Sequence, residues 1–119
     1  MTKILIVDDN VEATELFEKF LTFEGYETTS LNESAKTLDI ANTIIPDLFI
    51  LDLMMPPPDG FKLCRLLRAD PKFELTPIII ITALDDSDSK AIAYGAGAND
   101  YLTKPFHINE LAIRVKNLL

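Results

Sequence analysis

Three carboxylates, a hydroxyl and an ammonium stand at the ends of short apolar runs in this 119-residue chain. Asp8 and Asp9 follow Ile4–Val7, Asp52 follows Leu48–Leu51, Thr82 follows Ile78–Ile81, and Lys104-Pro105 follows a run from Asp100 to Leu102. One Asp after a strand is as readily a turn or helix-capping residue as a functional one. Reactive groups at four strand ends argue for one shared site. Two carboxylates about 4 Å apart repel by ~4 kcal/mol at an effective dielectric near 20, so three gathered together require counter-charge. Lys104 supplies one positive charge, and a divalent cation supplies the next. Hard oxygen ligands suit Mg²⁺ better than a soft-ligand metal. Beside such a cation an Asp carboxylate serves as a nucleophile toward a phosphoryl group. Lys104 stabilises the transferred charge and Thr82 offers a further hydrogen bond. The chemistry is phosphoryl acceptance. Asp52, at the end of the central strand, is expected to be the most enclosed carboxylate and the acceptor.

The elements that position these groups follow from two alternating patterns. Ile4–Val7, Leu48–Leu51 and Ile78–Ile81 are continuous apolar runs, as in parallel strands buried on both faces. Glu27–Ser30 is poorer in apolar residues and reads as an edge strand, and Asp100–Leu102 as a fifth strand. Between them lie helix-length segments. Ala13, Leu16, Phe17 and Phe20 form a core-facing stripe, with Asn10 as N-cap and Gly25 as stop. Asn32 is expected to cap a helix through about Thr43, and Asp59 one through about Ala69. Ser87–Ala96 is a weakly amphipathic helix interrupted by Gly95, and Ile108, Leu111, Ala112, Val115 and Leu119 mark the last. The order βαβαβαβαβα predicts an α/β fold, a doubly wound five-stranded parallel sheet with helices on both faces. In such sheets function gathers outside the C-terminal strand edges.

Composition narrows the classes further. Lys and Arg total 11 against 19 Asp and Glu, a net charge of −8, which argues against direct nucleic-acid binding. Hydrophobic residues at 48% and charged residues at 25% are ordinary for a globular domain. The single cysteine, Cys64, forbids an internal disulfide and is expected in the core. No leader or membrane-spanning run is visible, so a cytoplasmic location is expected. The chain reads as one domain, residues 1–119, either alone or as a fragment of a longer regulator or hybrid kinase.

A series of motifs then falls in order along the whole chain. They are Ile4-Leu5-Ile6-Val7-Asp8-Asp9, Pro46-Asp47-Leu48 through Asp52, Met55-Pro56, and Asp59-Gly60. Pro77 through Thr82-Ala83, Gly95-Ala96, and Tyr101 through Phe106 with Glu110-Leu111 follow. Together they resemble the receiver domain of bacterial two-component response regulators. The resemblance implies a flavodoxin-like (βα)5 fold, similar to the chemotaxis receiver, with strand order 2-1-3-4-5. It implies that Asp52 accepts the phosphoryl group and that Lys104 pairs with that group. Asp9, and Asp8 largely through water, would hold Mg²⁺ with Asp52 and the backbone carbonyl of Met54. Thr82 and Tyr101 would form a switch pair, the hydroxyl moving toward the phosphate and the ring turning inward. The donor would be a phosphohistidine on a histidine kinase or phosphotransfer protein, with small phosphodonors as substitutes. Asp100, Lys90 and Arg114, exposed charges by default, match positions through which some receivers pair symmetrically. A cis Lys104-Pro105 bond is expected, because Lys104 must turn its ammonium back over the carboxylates while Phe106 continues to the last helix.

There are departures and competitors. Pro58 stands where receivers usually carry one apolar residue, and Pro56-Pro57-Pro58 stiffens the loop beside Asp52. Met54 and Leu84 are bulky flanks that would hinder water. His107 is expected at the surface, and Asp85-Asp86-Ser87-Asp88 as a capping, solvated loop. A haloacid-dehalogenase-type phosphohydrolase shares Asp, Thr and Lys but wants a second Asp two residues after its first-strand nucleophile, where this chain has Asn10. A flavin or nucleotide binder would want a phosphate loop rather than two carboxylates after the first strand. A docking-only pseudo-receiver is disfavoured because every chemical position is filled.

Overall fold

A computed structural model describes all 119 residues. Its strands are β1 (Lys3–Val7), β2 (Glu27–Leu31), β3 (Leu48–Leu51), β4 (Ile78–Thr82) and β5 (Asp100–Thr103). They pair in parallel in the order β2-β1-β3-β4-β5. Helices α1 (Val11–Phe23), α2 (Thr37–Ile44), α3 (Gly60–Ala69), α4 (Ser87–Ala96) and α5 (Ile108–Leu118) alternate with them. Successive strand side chains point to opposite faces, and here both faces are apolar. Leu5, Val7, Phe49, Leu51, Ile78 and Ile80 pack with Ala41 of α2, Leu63 and Leu67 of α3, and Ala93 of α4. Ile4, Ile6, Leu48, Ile50, Ile79 and Ile81 pack with Phe17 and Leu21 of α1 and Leu111 and Val115 of α5. That double cover is the reason the runs lack polar alternation.

Local chemistry sets the helix ends. Asn10 Oδ1 accepts the amide N–H of Ala13 at 3.2 Å, and Asp59 Oδ1 that of Lys62 at 2.9 Å. The α1 terminus runs through Glu24 to Gly25, whose φ of +99° suits glycine. Two expectations are corrected. Leu16 does not face the core; it is 56% exposed, and the buried α1 positions are Thr14, Phe17 and Leu21. Asn32 is not a helix cap either. The segment opens with a 3₁₀ turn, Ser34–Lys36, before α2. Asn32 Nδ2 instead donates to the Asp8 carbonyl at 2.8 Å and to Thr14 Oγ1 at 3.0 Å, because the end of β1 leaves that carbonyl beside the β2 exit.

At the start of α2, Thr37 is fully buried and its hydroxyl has no hydrogen-bond partner. A buried, unmade hydrogen bond costs more than the hydroxyl contributes. Replacing Thr37 by the nearly isosteric valine is therefore expected to stabilise the protein by about 1 kcal/mol. Reversible thermal unfolding checks this; a lowered melting temperature would contradict it.

Candidate functional site

The sheet register assembles the site. Val7 pairs with Leu51, so Asp8 and Asp52 leave adjacent strands side by side. Thr82 pairs with Thr103, which sets Lys104 at the same edge. Backbone bonds continue past the strands: the Asp52 amide donates to the Val7 carbonyl at 3.0 Å, and that of Lys104 to the Thr82 carbonyl at 2.7 Å. Lys104 Nζ then lies 2.7 Å from Asp8 Oδ2 and 3.3 Å from Asp52 Oδ2. The Lys104-Pro105 bond is cis, as expected, and so is Pro57-Pro58. The other carboxylate oxygens are held by backbone amides. Asp8 Oδ1 accepts from Asn10 at 3.0 Å, and Asp52 Oδ1 from Leu53 at 2.6 Å and Met54 at 3.3 Å.

Asp52 is not the most enclosed carboxylate. Asp8 is 3% exposed and Asp52 7%. The difference arises because Asp8 sits beneath Lys104 and behind the start of α1, contacts that strand position alone does not reveal. Burial pushes the Asp8 carboxyl above its ordinary range, and the charge of Asp52 adds to this. The bonds from Lys104 and Asn10 offset only part of the rise. Burial pulls the Lys104 ammonium down, but its bond to Asp8 and the charge of Asp52 outweigh that and hold it above the usual lysine value. Negative charge is thus in excess here even with Lys104 in place.

The remaining residues divide into those the structure brings in and those it leaves apart. Asp9 is exposed, and its carboxylate takes no hydrogen bond or ion pair. The Met54 carbonyl likewise accepts no hydrogen bond from the protein. No cluster of three or more His, Cys, Asp or Glu side chains forms a ready-made metal cage. Two neighbouring carboxylates, an open carboxylate and an open carbonyl are an all-oxygen set of the sort that suits Mg²⁺, which keeps several waters and uses few protein ligands. The donor chemistry fits that ion.

Thr82 is buried, and its hydroxyl meets the amide of Leu84 at 3.5 Å rather than Asp52 or Lys104. Tyr101 is also buried, its hydroxyl donating to the Leu84 carbonyl at 2.5 Å. Both residues therefore hold the same loop residue. Lys90 Nζ lies 5.9 Å from the Tyr101 ring centroid, and Arg114 pairs with Asp100 at 2.5 Å and Glu110 at 2.9 Å. Asp100, Lys90 and Arg114 are thus half-buried and engaged with neighbours, not exposed as expected from the sequence. His107 is exposed and Cys64 buried, as expected.

Asp86 caps α4, accepting the amide and hydroxyl of Ser89 at 2.9 and 2.8 Å. The amide bond and then the hydroxyl bond hold its carboxyl below the ordinary 3.8. A depressed carboxyl stabilises the fold above its ordinary pKa, and the contribution is lost as pH falls below that value through the lowered one. Amides in the first turn of α4 are expected to lose hydrogen-exchange protection over that acid window, while Ala93–Ala96 at the buried end keep theirs. Exchange measured by NMR checks this; uniform behaviour along α4 would contradict it.

Asn32 and Ser34, which support the site from the β2 exit, were not legible as such. Their only signal is two hydrogen-bonding residues directly after an edge strand, and it gains meaning once β2 is known to lie beside β1.

Comparison with known proteins agrees with this geometry. The family described as the response regulator receiver domain matches residues 4–116. The chain is 39% identical over 119 residues to the DNA-binding dual master transcriptional regulator RpaA of Synechocystis sp., covering 100% of this chain and 49% of that protein. It is 40% identical over 116 residues to the transcriptional regulatory protein GltR of Pseudomonas aeruginosa, covering 98% and 48%. The chain thus spans about half the length of these two relatives. Among solved structures, Vibrio cholerae chemotaxis protein CheY4 superposes with a TM-score of 0.95 at 28% identity over 100% of this chain and 99% of that one. The receiver domain of Francisella response regulator 1452 gives 0.91 at 36% identity over 99% and 96%. With the strand order, the carboxylates and the lysine in agreement with sequence similarity along its length, the chain belongs to the response regulator receiver domains of two-component signalling.

Proposed function

We propose that this receiver accepts a phosphoryl group on Asp52 from a phosphohistidine of a histidine kinase or phosphotransfer protein. The observation that carries the reading is the placement of Lys104 Nζ between Asp8 Oδ2 and Asp52 Oδ2, at 2.7 and 3.3 Å. A carboxylate oxygen of Asp52 forms the new P–O bond as the donor's P–N bond breaks. The electron pair leaves on the imidazole nitrogen. Two backbone amides fix the Asp52 rotamer and Lys104 moves its charge toward the incoming phosphoryl oxygens. Asp8, Asp9, Asp52 and the Met54 carbonyl would hold Mg²⁺, which when bound supplies further positive charge for those oxygens.

Asp9 and Met54 are exposed beside Asp52, so a donor carried on another protein would approach from that side. An apolar groove lined by Ala13, Leu16, Phe17, Phe106 and Ile108 runs beside Lys104. Because Lys104 also lines this groove, the donor protein would dock there, which would account for an exposed Leu16. Thr82 and Tyr101, through their shared hold on Leu84, would pass the phosphorylated state to the α4-β5-α5 face. Exposed Ile92 and Tyr94 on α4 offer that face to a second copy. Turnover of small substrates, direct nucleic-acid contact and membrane insertion are not part of the reading, and a cytoplasmic location accords with a kinase partner. No helix is long and apolar enough to cross a membrane.

Acetyl phosphate with Mg²⁺, followed by intact mass, tests this. One phosphoryl group per chain, dependent on Mg²⁺, is expected. Multiple turnover of phosphate esters would instead indicate a phosphohydrolase, and no adduct a docking module.

A further inference from the structure

The two turns that carry the proposed cation ligands are joined at their bases by the bond from the Asp52 amide to the Val7 carbonyl at 3.0 Å, and beyond it both are tied to the same short segment. Asn32 Nδ2 donates to the Asp8 carbonyl at 2.8 Å and to Thr14 Oγ1 at 3.0 Å. The first bond fixes the peptide from which Asp8 and Asp9 project. The second joins that point to α1, where the buried Thr14 hydroxyl donates in turn to the Val11 carbonyl at 3.0 Å. Two residues on, the buried Ser34 hydroxyl donates to the Pro56 carbonyl at 2.7 Å.

That second tie matters because of what the proline run removes. Pro56, Pro57 and Pro58 have no amide hydrogen. The Met55 amide makes no hydrogen bond, and no carbonyl from Met55 to Pro58 accepts one except that of Pro56. From Met55 to Pro58 the bond from Ser34 is therefore the only hydrogen bond to the rest of the protein. The Met54 carbonyl lies immediately before this stretch, and Asp52 two residues earlier.

We infer that Asn32 and Ser34 act as positioning residues, a clamp across the β2 exit that sets the spacing between the Asp8-Asp9 turn and the Asp52–Met54 turn, and hence the affinity for Mg²⁺. The inference rests on the acceptor reading above and adds to it a control on cation binding by residues that touch neither ion nor phosphate. Outer partners that orient metal ligands commonly change affinity by ~10–100-fold when removed. Serine at position 34 is suited to the task because its hydroxyl donates, and the proline run offers carbonyl acceptors but no amide hydrogens.

The test is a Mg²⁺ titration of the full chain followed by amide shifts in NMR, with Ser34→Ala, Ser34→Thr and Asn32→Ala. Ser34→Ala is expected to weaken Mg²⁺ binding by ~10-fold, with the largest shift changes at Leu53–Met55. Ser34→Thr, which keeps the hydroxyl, is expected to restore the affinity, whereas loss of a merely structural contact would not be rescued in this way. Asn32→Ala is expected to weaken binding with shifts at Asp8–Asn10. Ser34→Ala removes one oxygen and adds nothing, so it carries the test alone if the Asn32 variant does not fold. Unchanged affinity in folded Ser34→Ala overturns the clamp and leaves the acceptor reading intact. A wild-type chain with no Mg²⁺-dependent shifts overturns both.

Discussion

Replacing Lys104 by alanine is expected to slow Asp52 phosphorylation by about 100-fold while tightening, not weakening, Mg²⁺ binding. The two effects have one cause. The ammonium lies 2.7 Å from one carboxylate oxygen and 3.3 Å from another. Unit charges about 3 Å apart attract by on the order of 5 kcal/mol at an effective dielectric near 20, before desolvation is counted. Removing the ammonium deprives the incoming phosphoryl oxygens of a fixed positive partner, so the transition state loses more than the ground state. It also leaves the Asp8 and Asp52 carboxylates facing each other, which favours a divalent cation. Breaking a buried pair on one side typically costs about 3 kcal/mol or more. The variant should therefore unfold at lower temperature in chelator and recover much of the loss with Mg²⁺. Acetyl phosphate kinetics and a Mg²⁺ titration check the pair of effects. Wild-type phosphorylation, or weaker Mg²⁺ binding, would contradict the charge assignment.

Gly60→Ala is expected to damage the site from the opposite side. A Cβ at this first residue of α3 would lie 2.1 Å from the Asp52 carbonyl oxygen, 2.7 Å from Leu53 Cα and 2.9 Å from the Asp52 carbonyl carbon. All three are backbone atoms, so no flexible side chain can yield. The Gly60 amide also donates to the Leu53 carbonyl at 3.0 Å, drawing the helix onto the turn that follows Asp52. Alanine must push α3 away or displace the turn that carries Asp52. A loss of about 3 kcal/mol is expected, the upper end of ordinary overpacking. Domains of this kind have roughly 5–15 kcal/mol in hand, so the variant should still fold. Phosphorylation should fall even at temperatures where it is fully folded. Denaturant unfolding and phosphorylation rates together check this; wild-type values for both would show that the approach is slack.

The sheet was readable in the sequence because Ile78–Ile81 and its counterparts are apolar on both faces, a pattern that partial cover would not produce. Caps such as Asn10 and Asp59 were readable because donor and acceptor lie three residues apart. Leu16 was misread because helical spacing marks an apolar face without saying whether core or an open groove lies opposite. The β2 exit was misread for a different reason. Asn32 is a good cap by type, but its true partners lie 24 and 18 residues away and exist only once β2 lies beside β1. The relative burial of Asp8 and Asp52 was reversed because it depends on Lys104, 96 residues from Asp8. Residue types at strand ends revealed that Asp8, Asp52 and Lys104 meet, but not that the Thr82 hydroxyl turns to Leu84 or that Asp9 stays without a partner. Their order of burial came from the tertiary contacts.

Asp52 alone is expected to form the bond to the phosphoryl group. Treatment with phosphodonor and Mg²⁺, then borohydride reduction of the acyl phosphate and peptide mass spectrometry, tests it at the level of the residue. Reduction converts an aspartyl phosphate to homoserine, which marks the position permanently. Homoserine is expected at position 52 only, and none in Asp52→Asn. Homoserine at position 8 or 9 in the wild-type chain, or a full-stoichiometry adduct in Asp52→Asn, would contradict it.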